Sequence, residues 1–272
     1  MRSAVVTGVS TGIGRAVAEA LIGAGYQVFG SVRRAADAVA FEAALGERAH
    51  ALVFDLRDDA SIDAAAATVA ASTKELAALI NSAGIAAPGP LEHIALKEFR
   101  DQLAVNLTGT LAVTQAFLPL LRAGQGRIVN VSSVAGRTAM PFLGAYSAAK
   151  FGLEALSDSL RRELVGSGVD VIVLQPGGIA TPIWSKAADR DATIYDDTSY
   201  ADPLQAFREV ALGAGAAGLP AQHVGKLVLA ILSARRPRVR YLLSRAPFTE
   251  RMMRLVPPRL LDRIIARRLG IR

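Results

Sequence analysis

The strongest constraint on this chain is an alternation of short, nearly continuous apolar runs with longer alanine-rich stretches. The runs are "SAVVT", "QVFGSV", "ALVFDL", "ALIN", "GRIVNVSS", "VDVIVLQPG" and "RVRYLL". Runs this short and this uniformly apolar suit strands covered on both faces, and the intervals between the first six can hold crossover helices. The pattern predicts an α/β fold of the Rossmann type, a doubly wound, seven-stranded parallel sheet flanked by helices in three layers. With 272 residues, 51% of them hydrophobic and only 20% charged, the chain can bury a large core as a single domain.

Composition removes several chemistries. There is no cysteine, hence no disulfide, thiolate ligand or thiol nucleophile, and His50, His93 and His223 are too scattered for a zinc cluster. No metal site is expected. No run approaches the roughly 18 consecutive apolar residues of a membrane span, and the N-terminal "AVV" is too short for a signal-peptide core. A cytoplasmic protein is therefore expected.

The net charge of +7 collects after Ala234, in an extension over residues 235–272 that holds many of the arginines. In "PPRLLDRIIARRLGIR", Leu260, Leu261, Ile264, Ile265 and Leu269 recur at helical spacing between arginines, which predicts a basic amphipathic helix. Such a helix docks on its own domain or on a second subunit, or else lies on an anionic membrane surface. Nucleic-acid binding is a third option for a basic tail, but no aromatic interleaving and no helix-turn-helix accompanies the charge.

The stretch "TGVSTGIG", Thr7 to Gly14, admits two readings. Gly8-Val9-Ser10-Thr11-Gly12 spells the G-x-S-x-G turn that raises a nucleophilic serine, and the same glycines form a phosphate cradle. Context favours the cradle. The glycines follow the first strand and lead into "RAVAEALIGAG", whereas a nucleophile elbow needs upstream backbone for its oxyanion hole and a histidine loop after a late strand. Glycines let the backbone approach a pyrophosphate whose charge sits at the N-terminus of the next helix. A second glycine run, Gly213 to Gly218, fits G-x-G-x-x-G but follows no strand and reads as a flexible connection.

In "GAYSAAKFGLEALSDSLRREL", Tyr146 and Lys150 lie four residues apart, one helical turn, at the start of a helix that continues to about Val165. An ammonium beside a phenol favours the phenolate and lowers a pKa that is ordinarily about 10, which gives a tyrosine able to trade a proton. "RIVNVSS" ends a strand in Ser132 and Ser133 ahead of Tyr146, and "NSAG", Asn81 to Gly84, ends another. The carboxyl ends of parallel strands face the crevice where ligands bind.

Taken together, Thr7-Gly8-x-x-x-Gly12-x-Gly14, Asp55-Leu56, Asn81-Ser82-Ala83-Gly84, Asn106, Ser133, Tyr146-x-x-x-Lys150 and Pro176-Gly177-Gly178 make the first 185 residues or so resemble the classical short-chain dehydrogenase/reductase family. The resemblance implies that Tyr146 is the general acid/base and that Ser133, favoured over Ser132 by its spacing, polarises the substrate oxygen. It implies that Lys150 binds the nicotinamide ribose and depresses the tyrosine pKa, and that Asn106 anchors a water behind the lysine. By the same likeness the cofactor contacts are Gly8, Ser10, Thr11, Gly12, Ile13 and Gly14 in the cradle, and Asp55 and Leu56 at the adenine. Asn81, Ala83, Gly84, Pro176, Gly177, Ile179 and Thr181 complete the set, Thr181 at the carboxamide.

Enzymes that prefer NAD place an acid at the end of the second strand. Here Val32 stands there, followed by Arg33 and Arg34, and a guanidinium can grip a ribose phosphate, so NADP(H) is favoured through Arg33, with NAD(H) as the alternative. Asp37, the competing acid, falls at a helix start. Residues 180–215 read as a substrate lid in which Ile183, Trp184, Tyr195 and Phe207 offer an apolar wall, joined by Met140, Phe142 and Leu143. The substrate contacts expected are Ser133, Met140, Phe142 and Trp184. The whole predicts a homo-oligomeric oxidoreductase for a lipophilic carbonyl/alcohol pair, similar to the steroid and retinoid branches of the family. The rival reading is a non-catalytic dinucleotide-binding regulator or scaffold.

Overall fold

The computed structural model describes residues 1–189 and 191–271. Its strands are β1 (Ser3–Val6), β2 (Gln27–Val32), β3 (Ala49–Val53), β4 (Ala78–Asn81), β5 (Arg127–Val131), β6 (Asp170–Pro176), β7 (Ile179–Ala180), β8 (Leu219–Pro220) and β9 (Arg240–Leu243). The helices that cover them are α1 (Gly12–Gly23), α2 (Ala35–Leu45), α3 (Asp59–Ser72), α4 (Leu96–Leu103), α5 (Gly109–Ala123) and α6 (Gly144–Glu163). After β7 come α7 (Ile183–Ala188), α8 (Ala201–Ala216), α9 (Gln222–Ser233), α10 (Pro247–Met253) and α11 (Pro258–Leu269).

Seven strands form one sheet in the order β3-β2-β1-β4-β5-β6-β9, with every neighbouring pair parallel. The predicted doubly wound sheet is therefore present, six of its strands inside the expected runs and β3 beginning at Ala49, two residues ahead of its run. The order reverses between β1 and β4, and such a switch point opens a crevice at the carboxyl ends of the strands. Side-chain alternation fills both faces: Ala4 and Val6 pack with Val17 and Leu21 of α1 and Val224, Val228 and Ile231 of α9, whereas Val5 faces Ile62, Val69, Phe117 and Leu121.

A third cluster lies outside the sheet, where Phe142, Leu143 and Tyr146 meet Tyr195, Leu204, Phe207 and Leu269. It binds the lid and the C-terminal helix to the end of the sheet, and α11 packs on α8. The run Leu96–Ala123 is long and apolar enough to cross a membrane by length and composition. Within it Val113, Phe117 and Leu121 are fully buried in the core against the sheet.

One expectation changes, and one pairing is new. Gly213 and Gly215 do not make a flexible connection: α8 runs through both to Ala216, because the flanking alanines sustain the helix. A Cβ at Gly215 would stand 3.2 Å from the Trp184 indole, so the glycine lets α8 approach that ring. The following residues form β8, which pairs in parallel with β7 through Ile179 opposite Leu219, a contact no periodicity announces.

Candidate active site

The turn between β1 and α1 is held by backbone and by buried hydroxyls. The Thr7 hydroxyl accepts from the amides of Ser82 and Ala83 at 2.9 and 3.0 Å, which fastens the end of β1 to the end of β4. Gly8 has φ +76°, and a Cβ there would lie 2.9 Å from the Ala83 Cα, while a Cβ on Gly14 would enter the Gly8 carbonyl. Only glycine suits either place. Thr11 makes no side-chain cap on α1, so the first amides of that helix border the cleft that Gly12, Ile13 and Gly14 line. Amides so placed favour an anion.

The cleft is about 980 Å³ in volume and runs from this turn past Ser133, Tyr146 and Lys150 to Trp184. Tyr146 projects from the first turn of α6, packs edge-on to Trp184 with ring centroids 6.2 Å apart, and is hydrogen-bonded to Ser133. The Ser133 Oγ also accepts from the Ala135 amide at 3.1 Å. Burial pushes the Tyr146 phenol up to about 12, opposed by the Ser133 bond. Burial brings the Lys150 ammonium down to about 8, opposed by the Glu154 carboxylate. Desolvation and the Ser133 bond, not the Lys150 ammonium, set the direction of the phenol's shift here. Lys150 Nζ lies 5.7 Å from the phenol ring centroid and donates to the Val131 carbonyl at 2.8 Å.

One turn beyond Lys150, Glu154 is itself buried. It accepts from Gln175 Nε2 at 2.7 Å and from Arg240 Nε at 2.9 Å, and Arg240 also pairs with Asp158 at 2.9 Å. Tyr146, Lys150, Glu154 and Asp158 thus succeed one another at every fourth residue, an ionisable ladder on one face of α6. Glu154 escaped notice in the sequence although that spacing is visible there.

At the other end of the cleft, Arg33, Arg34, Asp37, Asp55 and Arg57 converge. Arg34 grips Asp37 with two bonds of 2.9 Å, and the guanidinium holds that carboxyl below its ordinary range. Arg57 does the same to Asp55 through Nη2 at 2.7 Å and Nε at 3.0 Å. Among the described residues Arg33 has no hydrogen-bonded acceptor. Lys186 of α7 reaches the Thr11 hydroxyl at 3.4 Å, which brings a cation to the glycine turn from the lid. Only the folded lid reveals that residue.

Residues 2–192 match the family model for short chain dehydrogenases. The chain belongs to the short-chain dehydrogenase family. Over 272 residues it is 38% identical to the NADPH-dependent 3-dehydrocapnine reductase of Ornithobacterium rhinotracheale, across 97% of this chain and 96% of that protein. The 3-amino-tetrahydro-pyrrolizinone reductase of Xenorhabdus hominickii is 37% identical across 88% of this chain and 86% of its own. Human retinol dehydrogenase 5 is 38% identical, over 65% of this chain and 57% of its own. Among solved structures, a short-chain dehydrogenase from Streptomyces avermitilis gives a TM-score of 0.80 at 29% identity, covering 98% of this chain and 94% of that one. The protein is an oxidoreductase acting between alcohol and carbonyl groups.

The dehydrogenase cleft suits a nicotinamide dinucleotide: two glycines leave no room for a Cβ, helix amides border one end, and the buried Ser132 Oγ has no hydrogen-bond partner among the described residues. Of the predicted contacts, Gly8, Ser10, Thr11, Gly12, Ile13, Gly14, Arg33, Asp55, Leu56, Ala83, Gly84, Pro176, Gly177, Ile179 and Thr181 line it. Asn81 does not. Its amide donates to Thr114 and Asn130 at 3.1 and 2.8 Å and ties β4 to β5 and α5. Asn106, in a single π turn over Ala104–Thr108, donates to the Ile85 carbonyl at 2.8 Å and accepts from the Ile85 amide at 2.9 Å. With both ends of its amide taken, the side chain clamps the strand-end loop at Ile85.

The substrate wall also differs from expectation. Trp184 and Ile183 line the cleft, but Phe142 is buried against Tyr200 and Phe207, and Met140 packs on the same cluster. Apolar side chains in a lid gain most by burial against one another. Among the described residues no histidine lines the cleft to serve Ser10: His50 bonds Gln27 at 2.8 Å and His93 packs edge-on to Tyr200.

Proposed function

We propose that this dehydrogenase is a cytoplasmic, homo-oligomeric NADP(H)-dependent reductase of lipophilic ketones or aldehydes. One observation carries the reading: Tyr146, hydrogen-bonded to Ser133 and one turn from Lys150, borders the same cleft as the glycine turn. Gly8 to Gly14 would hold the pyrophosphate, Lys150 the nicotinamide ribose and Thr181 the carboxamide. The bound cofactor supplies the hydride. Ser133 orients the substrate oxygen, and Tyr146 Oη gives that oxygen its proton. Burial holds the phenol in its protonated form at neutral pH, the form that donates to a carbonyl oxygen.

Arg33, without an acceptor among the described residues, and Lys186 beside Thr11 supply cations for a ribose phosphate. Asp37, the acid that would instead take ribose hydroxyls, is gripped by Arg34. Two relatives matched over most of their own length are named as reductases, one of them NADPH-dependent. Ile85, Ala86, Ile183 and Trp184 give the substrate end an apolar lining. Phe151, exposed on α6 next to Lys150, is an apolar surface available to a second copy.

Initial rates with NADPH and NADH across ketones of increasing size test the reading, beside Tyr146→Phe. NADPH should give the higher kcat/KM, and Tyr146→Phe should lose ~10²–10⁴ of it while still binding NADPH. Preference for NADH, or undiminished turnover in Tyr146→Phe, would refute it.

A further inference from the structure

The geometry of the C-terminal helices points to a docking surface for an anionic phospholipid membrane, and we propose that α10 and α11 seat the enzyme there. The argument starts from a stripe too many. On α11, Ile265 and Leu269 turn inward and join the cluster that contains Tyr146 and Phe207, with Leu269 fully buried. That contact already satisfies the helix's need to dock on its own protein. Yet Leu260 and Ile264, one turn apart on the same helix, remain 48% and 51% exposed. Phe248 on α10 and Leu255 between the helices are 73% and 74% exposed. Four large apolar side chains on consecutive elements exceed the scattered exposure normal on a soluble surface.

Charge decides what covers them. Residues 244–272 hold eight arginines against two acidic residues, Glu250 and Asp262, so this segment carries most of the chain's net charge of +7. Among the described residues, Arg251, Arg259, Arg263, Arg267 and Arg268 form no ion pair. A second copy presenting the same arginines would be repelled across a two-fold contact. Lipid phosphates satisfy the guanidiniums while the apolar side chains enter the headgroup boundary. The same cluster that α11 enters contains Tyr146, so the membrane contact would stand beside the substrate end of the cleft.

The test is flotation of the full chain with vesicles of phosphatidylcholine, with and without phosphatidylglycerol, at low and high salt. Binding should require phosphatidylglycerol and weaken with salt. The double variant Phe248→Ser, Leu255→Ser should bind at least about tenfold more weakly. Its reduction of a small water-soluble ketone and its thermal transition should stay at wild-type values, because neither side chain touches the cleft or the core. Equal binding to neutral vesicles, no binding at all, or an unaffected variant would overturn the proposal. So would a wild-type dimer that the same two substitutions convert to monomers, since that outcome assigns the face to a second copy. Ketone reduction is scored separately, so failure here leaves the enzymatic reading intact.

Discussion

At the glycine end of the cleft, position is fixed by backbone and hydrogen bonds: Thr7 grips two amides of the β4 loop, Asn106 clamps Ile85, and Gln102 clamps Ala87 at 3.1 and 3.2 Å. At the lid end, Trp184, Phe142, Phe207 and Leu269 meet only through apolar contact. Hydrogen bonds of defined length admit one geometry, whereas an apolar cluster admits many packings of similar energy. The rigid end therefore suits a ligand of constant shape, and the adaptable end suits a variable one. Tyr146 belongs to both, with its hydroxyl on Ser133 and its ring in the apolar cluster.

The largest effect should come from damage to the rigid end. Gly8→Val places a branched side chain at φ +76° and against Ala83, so NADPH binding by fluorescence titration should vanish and the thermal midpoint should fall. The backbone strain and the clash each cost roughly 1–3 kcal/mol. A variant that bound NADPH normally would show that the turn tolerates more than its contacts suggest.

Glu154→Gln is the next largest. Lys150 faces Glu154 on its own helix, and Glu154 in turn faces Gln175 on β6, Arg240 on β9 and Arg254 after α10, with Asp158 one turn on. The carboxylate holds the Lys150 value up against desolvation. Its loss leaves the neighbouring guanidiniums uncompensated, so the alkaline limb of kcat/KM should move to lower pH, with kcat several-fold lower near pH 8 and little change at pH 6. Stability follows the same proton. Lys150 titrates near 8 when folded against an ordinary 10.5, so between those values the unfolded chain binds more protons and stability rises with pH. An unmoved limb would mean that Glu154 serves packing alone.

A smaller loss, about tenfold in kcat/KM for NADPH, is expected of Arg33→Ala, with NADH nearly unaffected, since one charge-assisted contact is worth roughly 1.5–3 kcal/mol at most. Equal losses with both cofactors would place Arg33 outside the phosphate site.

The same division explains what the sequence revealed. β1 to β6 were legible because uniformly apolar runs mark strands buried on both faces, and the glycine turn because its position after β1 leaves little else for it to do. Short-range chemistry was legible too: Tyr146 and Lys150 share a face of α6. What escaped depended on chain segments far apart. Lys186 meets Thr11 only after the lid folds, and Asn81 turns into the sheet because Asn130 and Thr114 wait there. Phe142 looked like a pocket wall because an apolar residue ahead of Tyr146 carries no mark of direction. Its φ of +64° turns it toward Phe207, a conformation no pattern announces for a phenylalanine.

The smallest effect should arise at the lid, and it separates the two ends most finely. Trp184 lines the cleft, stacks edge-on against Tyr146 and packs on Gly215 of α8, so Trp184→Ala removes wall without touching the hydrogen-bonded half. NADPH affinity should be unchanged. Ketones small enough to need no wall should keep kcat and KM within about twofold, while KM for bulky apolar ketones should rise about tenfold, the value of burying a few methylenes at about 0.8 kcal/mol each. If NADPH affinity fell as much as KM for the bulky ketone rose, the wall and the cradle would be one mechanical unit, and the contrast between a rigid and an adaptable end would fail.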